Sequence, residues 1–283
     1  STKKKIYKII YIIINSIKII EEILMYDEPV IKLHNIRMNY GGDDVLKGID
    51  LEIKPGQIIG YIGPNGAGKT TTIKILLGMI YNYEGEIEIF GEKISRDEID
   101  YKKKIGYVPE GGEIYENLTG WEYIEFIGEI YEVPAAKLKL RSEILADCFG
   151  MTGAFNDRIS SYSKGMKQKI LIISALINNP EIIVLDEPLN GLDANSVMVF
   201  KEILTKLARE GKTIFYSSHL MDVVEKISDR IILIANGEIL ADGTFAELKM
   251  KSKEGTLEKI FNDLTGFHEQ GKIADRVIAA LRD

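Results

Sequence analysis

A glycine-rich stretch, GPNGAGKT at residues 63–70, ends in a lysine and a threonine with the spacing of a phosphate-binding loop. Glycines let backbone N–H groups turn inward around phosphate oxygens, and a helix beginning there adds partial positive charge. Lys69 would reach the β- and γ-phosphates of a nucleotide, and the Thr70 hydroxyl would bind Mg²⁺. A chance glycine-rich turn is the competing interpretation, and the predicted strand before the loop counts against it. The residues predicted to contact the nucleotide here are Gly63, Pro64, Asn65, Gly66, Ala67, Gly68, Lys69, Thr70 and Thr71.

Two carboxylates, Asp186 and Glu187, follow the apolar run IIVL at residues 182–185. This run predicts a buried strand, and α/β sheets bind ligands at the carboxyl ends of their strands. Hydrolysis needs a second anchor for the metal and a group that polarises water. Asp186 is therefore predicted to hold Mg²⁺, and Glu187 to be the general base. Without the glycine-rich loop, an acidic turn would explain the pattern equally well.

Two single residues complete the predicted site. His219 follows the strand-like run TIFYSS, and the strand is expected beside the one that ends at Glu187. An imidazole there would contact the γ-phosphate and orient water, although a lone histidine at a strand end is more often a surface or capping residue. Tyr40 stands in a glycine-rich turn and could stack on a nucleobase. A packed hairpin tyrosine is the alternative.

The elements that position these groups follow from the hydrophobic pattern. Strands are predicted at VIKLHNIRMNY, VLKGIDLEIKPG, QIIGYIG, IGYVPE, EIIVLDEP, KTIFYSSH and DRIILIANGEI, and a hairpin at GEIEIFGEKI. KTTTIKILLGMI and most of residues 119–178 are predicted to be helical. Strand–helix alternation predicts an α/β fold with a mostly parallel sheet, a small antiparallel β subdomain and an inserted α-helical subdomain.

Composition limits the class of protein. The chain has 283 residues, 45% of them hydrophobic and 28% charged, which is typical of a globular protein with a sizeable core. Its net charge of −7 argues against nucleic acid as a partner, since phosphate backbones need a basic face. The single cysteine, Cys148, excludes an intrachain disulfide and fits a reducing compartment.

Residues 1–28 form a predicted N-terminal extension of different composition. The segment KKKIYKIIYIIINSIKII has its longest charge-free run between Lys8 and Lys18, shorter than the roughly 18 residues that a spanning helix needs. On a helical wheel its lysines and isoleucines separate onto two faces, which indicates an amphipathic helix for an interface or a partner. A translated leader or tag is nevertheless the favoured interpretation of this segment, ahead of the amphipathic helix, and a signal sequence is a further alternative.

Taken together and in this order, the motifs resemble the ATP-binding subunit of ABC transporters over residues 30 to about 245. That family has a P-loop NTPase core, so the resemblance implies an ATP-binding domain at 29–250, a helical subdomain at about 112–178 and C-terminal helices at 251–283. The family's signature, usually LSGGQ, corresponds to YSKGM at Tyr162–Met166. Three of the five positions differ, and Ser163 and Gly165 are kept. The family's D-loop corresponds to NGLD, which ends at Asp193.

The resemblance implies a role for each matching residue. Glu187, His219 and Lys69 would be catalytic, and Thr70 and Asp186 would hold Mg²⁺. Glu110 stands where the family usually has a glutamine that touches Mg²⁺ and water, and a glutamate can also bind a hard cation. ATP would further contact residues in the adenine-stacking turn, the loop after IGYVP, the signature and the D-loop, namely Tyr40, Glu110, Ser163, Lys164, Gly165 and Asp193.

The resemblance also implies partners and a location. Two ATP-binding subunits, identical or different, would form a head-to-tail dimer in which the signature of one closes over ATP held by the other. YS-x-GM signatures are similar to those of ATPases that serve separate ABC-2-type export permeases, which implies a place at the cytoplasmic face of the cell membrane. A soluble ABC ATPase without a transport role, and a nucleotide-dependent regulatory or self-protection module, remain the alternatives.

Overall fold

The computed structural model describes residues 28–112, 114–252, 255–266 and 276–281. The predicted N-terminal extension lies almost entirely outside these residues. The strands are β1 (Ile31–Asn39), β2 (Asp44–Ile53), β3 (Ile58–Ile62), β4 (Glu84–Ile89), β5 (Glu92–Lys93), β6 (Ile105–Val108), β7 (Ile182–Asp186), β8 (Thr213–Ser218), β9 (Arg230–Ala235) and β10 (Glu238–Gly243). The α-helices are α1 (Lys69–Leu76), α2 (Gly120–Ile130), α3 (Ala135–Cys148), α4 (Lys164–Leu176), α5 (Ala194–Arg209), α6 (Met221–Ile227), α7 (Phe245–Ser252) and α8 (Leu257–Thr265).

A six-stranded sheet in the order β10-β9-β3-β8-β7-β6 forms the centre of the protein. Its strands are parallel except β10, which pairs antiparallel with β9. Every residue of β3, β7 and β8 is buried, because both faces of the sheet are covered and only near-continuous apolar strands are stable there. The predicted α/β fold with a mostly parallel sheet is confirmed. The parallel pairing also brings the carboxyl ends of β3, β7 and β8 to the same edge.

A second sheet of four strands, in the order β2-β1-β4-β5, is antiparallel throughout. β2 alternates buried and exposed residues, as expected for a sheet with one face on the core. This sheet and α1 share a core with one face of the central sheet, including Ile59 and Val184. The structure thus contains the predicted antiparallel β subdomain, which packs against the same central strands as the phosphate-binding loop.

The helical subdomain contains α2, α3 and α4, within the predicted range. A capping box begins α2, since the Thr119 hydroxyl accepts from the Glu122 N–H at 3.1 Å and the Glu122 carboxylate accepts from the Thr119 N–H at 2.8 Å. One side of α4 packs against β6 and the other faces α2 and α3, which makes α4 the connection between the subdomain and the sheet. The boundary predicted at residue 250 falls inside α7.

One element differs from its prediction. The run DRIILIANGEI was expected to be a single strand, but it holds all of β9 and the start of β10, joined by a turn at Asn236 and Gly237. Both turn residues have positive φ, 51° and 80°. Asn-Gly is the preferred pair for a two-residue hairpin turn of this kind. The prediction was wrong because it rested on the apolar residues of the run and overlooked the Asn-Gly pair that forms the turn.

Candidate active site

The phosphate loop, residues 63–70, connects β3 to α1. Gly68 stands at the N-cap of α1 with φ 106°, and no side chain caps the helix. A Cβ at Gly68 would lie 2.6 Å from Leu46 Cδ2 and 3.0 Å from the Val45 carbonyl, so both conformation and space require glycine. The backbone N–H groups at the start of α1 are therefore left to a ligand, as expected for an anion-binding helix N-terminus.

Lys69 is buried at the base of this loop, with 7% of its surface exposed. Its Nζ donates to the carbonyl oxygens of Gly63 at 2.8 Å and Pro64 at 3.2 Å. Burial lowers the pKa of Lys69, and the negative charges of Glu187 and Asp186 oppose that shift. An ammonium held among loop carbonyls and carboxylates is positioned to pair with the negative charge of a phosphate.

Asp186 and Thr70 meet at the end of β7, where the Thr70 hydroxyl donates to Asp186 Oδ2 at 3.0 Å. The other oxygen, Oδ1, is buried and has no hydrogen-bond partner in the described part of the chain. Burial raises the pKa of Asp186, and the hydrogen bond from Thr70 opposes the shift. An orphaned carboxylate oxygen beside a hydroxyl fits a hard cation such as Mg²⁺, which takes few protein ligands together with phosphate oxygens and water. Among the described residues there is no group of three or more His, Cys, Asp or Glu that could hold a metal ion.

Glu187 is 5% exposed and directly follows β7 with φ +48°. Its Oε2 accepts a 3.1 Å hydrogen bond from the Ser218 hydroxyl, and its Oε1 lies 2.8 Å from His219 Nδ1. The parallel pairing of β7 with β8 creates this arrangement, because it places the ends of the two strands side by side. The Ser218 oxygen in turn accepts from the Leu220 N–H at 3.0 Å, which fixes the direction in which its proton points.

A cleft of about 320 Å³ joins these groups. It is lined by Val45, Asn65, Gly66, Gly68, Lys69, Thr70, Thr71, Glu110, Asp186 and Glu187. Gly63, Pro64 and His219 line an adjacent cavity of about 690 Å³. The remaining loop residue, Ala67, is buried, and its N–H donates to the Pro64 carbonyl at 3.1 Å. The structure thus brings the residues of the phosphate loop and both carboxylates of the β7 end to one place.

The other predicted residues lie apart from this cleft. Tyr40 stands at the turn after β1 and is 62% exposed. Ser163 is the exposed N-cap of α4, with its Oγ accepting from the Met166 N–H at 3.2 Å. Lys164 follows it and is exposed as well, and Gly165 is half-buried beside it. None of these four residues lines the cleft of the phosphate loop.

Asp193 is the N-cap of α5 and accepts from the Ser196 N–H at 2.9 Å. It also pairs with Lys169 Nζ at 2.9 Å. The hydrogen bond from Ser196, reinforced by Lys169, holds the pKa of Asp193 below its usual range. Inside one chain, Asp193 therefore has a structural role at the start of α5.

Two residues of the site were not predicted. Val45 lines the nucleotide cleft from β2, and Ser218 holds the carboxylate of Glu187. The pairing of β7 with β8 was expected for His219, and the same reasoning would have placed Ser218 beside Glu187. No local sequence signal marks Val45, which lies in an ordinary strand pattern.

The fold and site together define a nucleotide-binding α/β domain, and comparison with known proteins specifies the family. Residues 46–190 match the family model described as ABC transporter. The chain belongs to the ATP-binding subunits of ABC transporters. Among the described residues, none of the helices has the length and apolar character needed to span a membrane.

Named relatives agree with this assignment. The chain is 34% identical over 254 residues to the linearmycin resistance ATP-binding protein LnrL of Bacillus subtilis, covering 90% of this chain and 81% of that protein. It is 36% identical over 218 residues to the ABC transporter ATP-binding protein NatA of the same organism, covering 76% and 88%. An uncharacterized ABC transporter ATP-binding protein of Nostoc sp. is 42% identical over 205 residues, covering 72% of this chain. The chain spans 61% of the length of the Nostoc protein and 57% of a similar one from Synechocystis sp..

Solved structures show the same fold. An ATP-binding subunit of an ABC transporter superposes with a TM-score of 0.79 at 27% identity, covering 83% of this chain and 99% of that one. A dimeric, post-hydrolysis ATP-binding cassette bound to ADP and Pi superposes with a TM-score of 0.68 at 28% identity, covering 76% and 98%.

Proposed function

We propose that this chain hydrolyses ATP and thereby energises export through a separate ABC-2-type membrane permease. The observation that carries the proposal is the convergence of Thr70, Asp186 and Glu187 on the cleft formed by the phosphate loop. Binding a nucleotide requires only the loop. Hydrolysis requires two further features. One is a hydroxyl paired with a carboxylate to hold Mg²⁺, and the other is a second carboxylate with a fixed orientation.

Glu187 is the proposed base. Two donors fix its carboxylate, so the remaining lone pairs point in a defined direction and can accept a proton from an attacking water. His219 donates to Glu187 from Nδ1–H and so orients the carboxylate, and Nε2–H would donate to an oxygen of the γ-phosphate. Lys69 supplies positive charge to the β- and γ-phosphates. Bound Mg²⁺ would neutralise charge on the phosphate oxygens, and Thr70, Asp186 and Glu110 are the residues that would hold it.

The complete site is proposed to need two chains. The cleft of one chain holds the triphosphate, and the signature of a second chain, at Ser163, Lys164 and Gly165, closes over the γ-phosphate together with Asp193. The exposure of Ser163 and Lys164 in the single chain supports this arrangement. The dimeric form of a solved ATP-binding cassette with ADP and Pi supports it as well. Tyr40 would stack on the adenine, and its exposure leaves its ring accessible.

An integral membrane permease is the proposed partner, which would place the chain at the cytoplasmic face of the cell membrane. The relative LnrL is named a linearmycin resistance ATP-binding protein, and this name supports a role in resistance for the present chain. The YSKGM signature supports the ABC-2 branch. No nucleic-acid partner is proposed, since the chain carries a net charge of −7.

Single-turnover hydrolysis tests the catalytic part of the proposal. Glu187→Gln should bind MgATP normally and hydrolyse it at least about 10²-fold more slowly, because an amide cannot take the proton. Glu202→Gln is the matched control, since Glu202 is exposed and pairs with Lys206 one turn along α5. Hydrolysis by Glu187→Gln at the rate of this control would remove Glu187 from the role.

Transport coupling needs a separate experiment. The wild-type chain should show a higher ATPase rate when it is reconstituted in membrane vesicles with an ABC-2-type permease that is its proposed partner. Glu187→Gln should show no such increase. An ATPase rate that is insensitive to the permease would support a soluble ABC ATPase instead.

A further inference from the structure

Two buried hydroxyls lie beneath the phosphate loop and connect it to the central sheet. Tyr61 lies in β3 and Thr72 in α1, and both side chains are buried. The Tyr61 hydroxyl lies 3.2 Å from Thr72 Oγ1, and the Thr72 hydroxyl donates to the Gly68 carbonyl at 3.0 Å. This chain of hydrogen bonds therefore leads from a central strand to the residue that begins α1.

The direction of each hydrogen bond in this chain follows from what each group can donate. A carbonyl oxygen only accepts, so the single proton of the Thr72 hydroxyl is used on Gly68, and Tyr61 is the donor to Thr72. Burial raises the pKa of Tyr61, and the hydrogen bond with Thr72 opposes this shift. The phenol therefore keeps its proton. Because hydrogen bonds in a chain polarise one another, the bond from Tyr61 strengthens the bond to Gly68.

The Gly68 carbonyl belongs to the same peptide group as the Lys69 N–H. None of the described peptide bonds is cis, and in a planar trans peptide the C=O and the N–H point in opposite directions. The carbonyl accepts from the Thr72 N–H at 2.9 Å as well as from the Thr72 hydroxyl, so two donors hold it toward α1. The Lys69 N–H accordingly points out of the helix end, where a ligand of the loop would lie.

The surroundings of Tyr61 hold its ring in place. β3 is a central strand, and Tyr61 pairs with Ser217 on β8 and with Ile232 on β9. The centroid of the Tyr61 ring lies 5.0 Å from that of Phe215, with an angle of 41° between the rings. The Tyr61 hydroxyl is thus a fixed point against which the start of α1 is held.

We propose that Tyr61 and Thr72 are positioning residues that hold the peptide between Gly68 and Lys69 with its N–H directed at the phosphates of the nucleotide. The inference rests on the proposed function only in that the loop binds nucleotide. A misdirected N–H weakens a hydrogen bond to a charged acceptor, which is a strong kind of hydrogen bond. Because the bound nucleotide accepts this bond both before and during hydrolysis, its loss should weaken binding and leave kcat nearly unchanged.

Thr72→Val tests the inference, because it removes the hydroxyl and keeps the branched shape of the side chain. We expect the dissociation constant for MgADP, measured by titration calorimetry, to rise about 10-fold, the scale of one charge-assisted hydrogen bond. The KM for ATP should rise by a similar factor, and kcat should change less than about threefold. Thr72→Ser keeps the hydroxyl and should bind MgADP within about twofold of the wild-type chain.

Thr205→Val is the matched control for the threonine. The Thr205 hydroxyl makes the same kind of bond to a carbonyl four residues earlier, that of Lys201 in α5, at 3.0 Å. If the Thr72 hydroxyl were only an ordinary contact within a helix, the two variants would change stability alike and both would bind MgADP as the wild-type chain does.

Tyr61→Phe removes the first donor and leaves the bond from Thr72 to Gly68. The dissociation constant for MgADP should therefore rise less than in Thr72→Val, by about threefold. Tyr101→Phe is its matched control. Tyr101 belongs to the same core, and its buried hydroxyl has no hydrogen-bond partner in the part of the chain that the structure describes. This control should bind MgADP with the affinity of the wild-type chain.

The double variant separates positioning from stability. Thr72→Val removes the hydrogen-bond partner of the buried Tyr61 hydroxyl, which should lower the melting temperature. Adding Tyr61→Phe removes the hydroxyl that lost its partner, so the melting temperature should recover while MgADP binding stays weak. A role in stability alone predicts that binding recovers together with the melting temperature.

The outcomes distinguish this inference from the proposed function. MgADP affinities of Thr72→Val and Tyr61→Phe equal to those of their controls would overturn the inference and leave the proposed hydrolysis untouched. If Thr72→Val does not fold, Tyr61→Phe and its control decide the question. A wild-type chain that binds MgADP but does not hydrolyse MgATP would overturn the proposed function, whereas weaker MgADP binding by Tyr61→Phe would still support the positioning role.

Discussion

The protein contains two helix N-termini that are proposed to contact phosphate, and they are built differently. At α1, Gly68 in the left-handed conformation begins the helix, no side chain caps it, and Lys69 is buried beneath the loop. At α4, Ser163 caps the helix through a hydrogen bond from the Met166 N–H and stands exposed. The first is proposed to bind the phosphates of a nucleotide held by its own chain, whereas the second is proposed to contact phosphate held by a second chain.

The cap and the proposed contact at Ser163 are compatible. A hydroxyl has one proton to donate and two lone pairs to accept with. The bond from Met166 uses one lone pair, which leaves the proton of the hydroxyl to be donated to a phosphate oxygen. A serine therefore stabilises its own helix and binds a ligand at the same time.

The contrast also explains which signature residues are kept. Gly165 cannot be replaced, because any Cβ would lie 2.4 Å from the Gly191 carbonyl oxygen. Lys164 and Met166 occupy the positions where the family usually has glycine and glutamine. Lys164 is exposed and Met166 half-buried at the first turn, so side chains fit there, and the backbone N–H donors survive the change. The phosphate loop, whose backbone is expected to surround the phosphates, matches the phosphate-binding motif at every fixed position.

Removing the Lys69 ammonium from the N-terminus of α1 should have the largest effect on ATP turnover. Lys69→Ala deletes a buried positive charge from a site that is shielded from water, so turnover should fall about 10²- to 10³-fold and ATP binding should weaken. Equilibrium nucleotide binding and steady-state ATPase rates check both parts. Lys74→Ala is the control, since Lys74 is exposed on the same helix. A rate equal to that of the control would mean that the loop does not bind the reacting phosphates.

Blocking the N-terminus of α4 should leave ATP binding unchanged and stop ATP turnover. Ser163→Arg should fold and bind ATP, because the cleft is separate, but it should neither dimerise with ATP nor hydrolyse it at more than about a hundredth of the wild-type rate. Light scattering and ATPase assays check this, with Ser95→Arg as a control on the antiparallel sheet side.

Mixing the two variants distinguishes one chain from two. A dimer of Lys69→Ala with Ser163→Arg has one composite site in which an intact loop faces an intact signature, so some activity should return. Near-wild-type hydrolysis by pure, folded Ser163→Arg would contradict the two-chain site.

The sequence predicted the surroundings of the α1 N-terminus more completely than those of the α4 N-terminus. The phosphate loop, Asp186 and Glu187 are contiguous motifs, and parallel strand order brings them together without further information. By contrast, α4 contacts residues 188–193 through the hydrogen bond from Gln168 Nε2 to the Pro188 carbonyl and the ion pair of Lys169 with Asp193. These partners are 20 or more residues apart in the sequence, and no local pattern encodes their contact. Ser218 was missed for a related reason. Its role comes from its contact with Glu187, which directly follows the neighbouring strand β7, and not from the residues around it in the sequence.

The loss of the Ser218 hydroxyl should have an intermediate effect on the rate of hydrolysis. Ser218→Ala removes one of the two donors to Glu187, so the base should lose orientation and kcat should fall about 10-fold with little change in ATP affinity. Ser218→Thr restores a hydroxyl in a β-compatible side chain and should recover most of the rate. Pre-steady-state hydrolysis measures the chemical step directly. Equal rates for alanine and threonine would show that the hydroxyl does not position Glu187.

The smallest expected effect separates the two roles of Ser163. Ser163→Ala removes the cap, so the free energy of unfolding should fall by about 1 kcal/mol, as for other lost N-caps. Backbone N–H groups remain to bind the γ-phosphate, so kcat should fall less than about 10-fold. Denaturant unfolding and ATPase assays give the two numbers on the same preparation. Ser163→Asp is the informative partner variant, because it caps a helix well but places a negative charge against phosphate. We expect it to restore stability and to lose activity further, and a variant that recovered both would show that the hydroxyl serves its own helix alone.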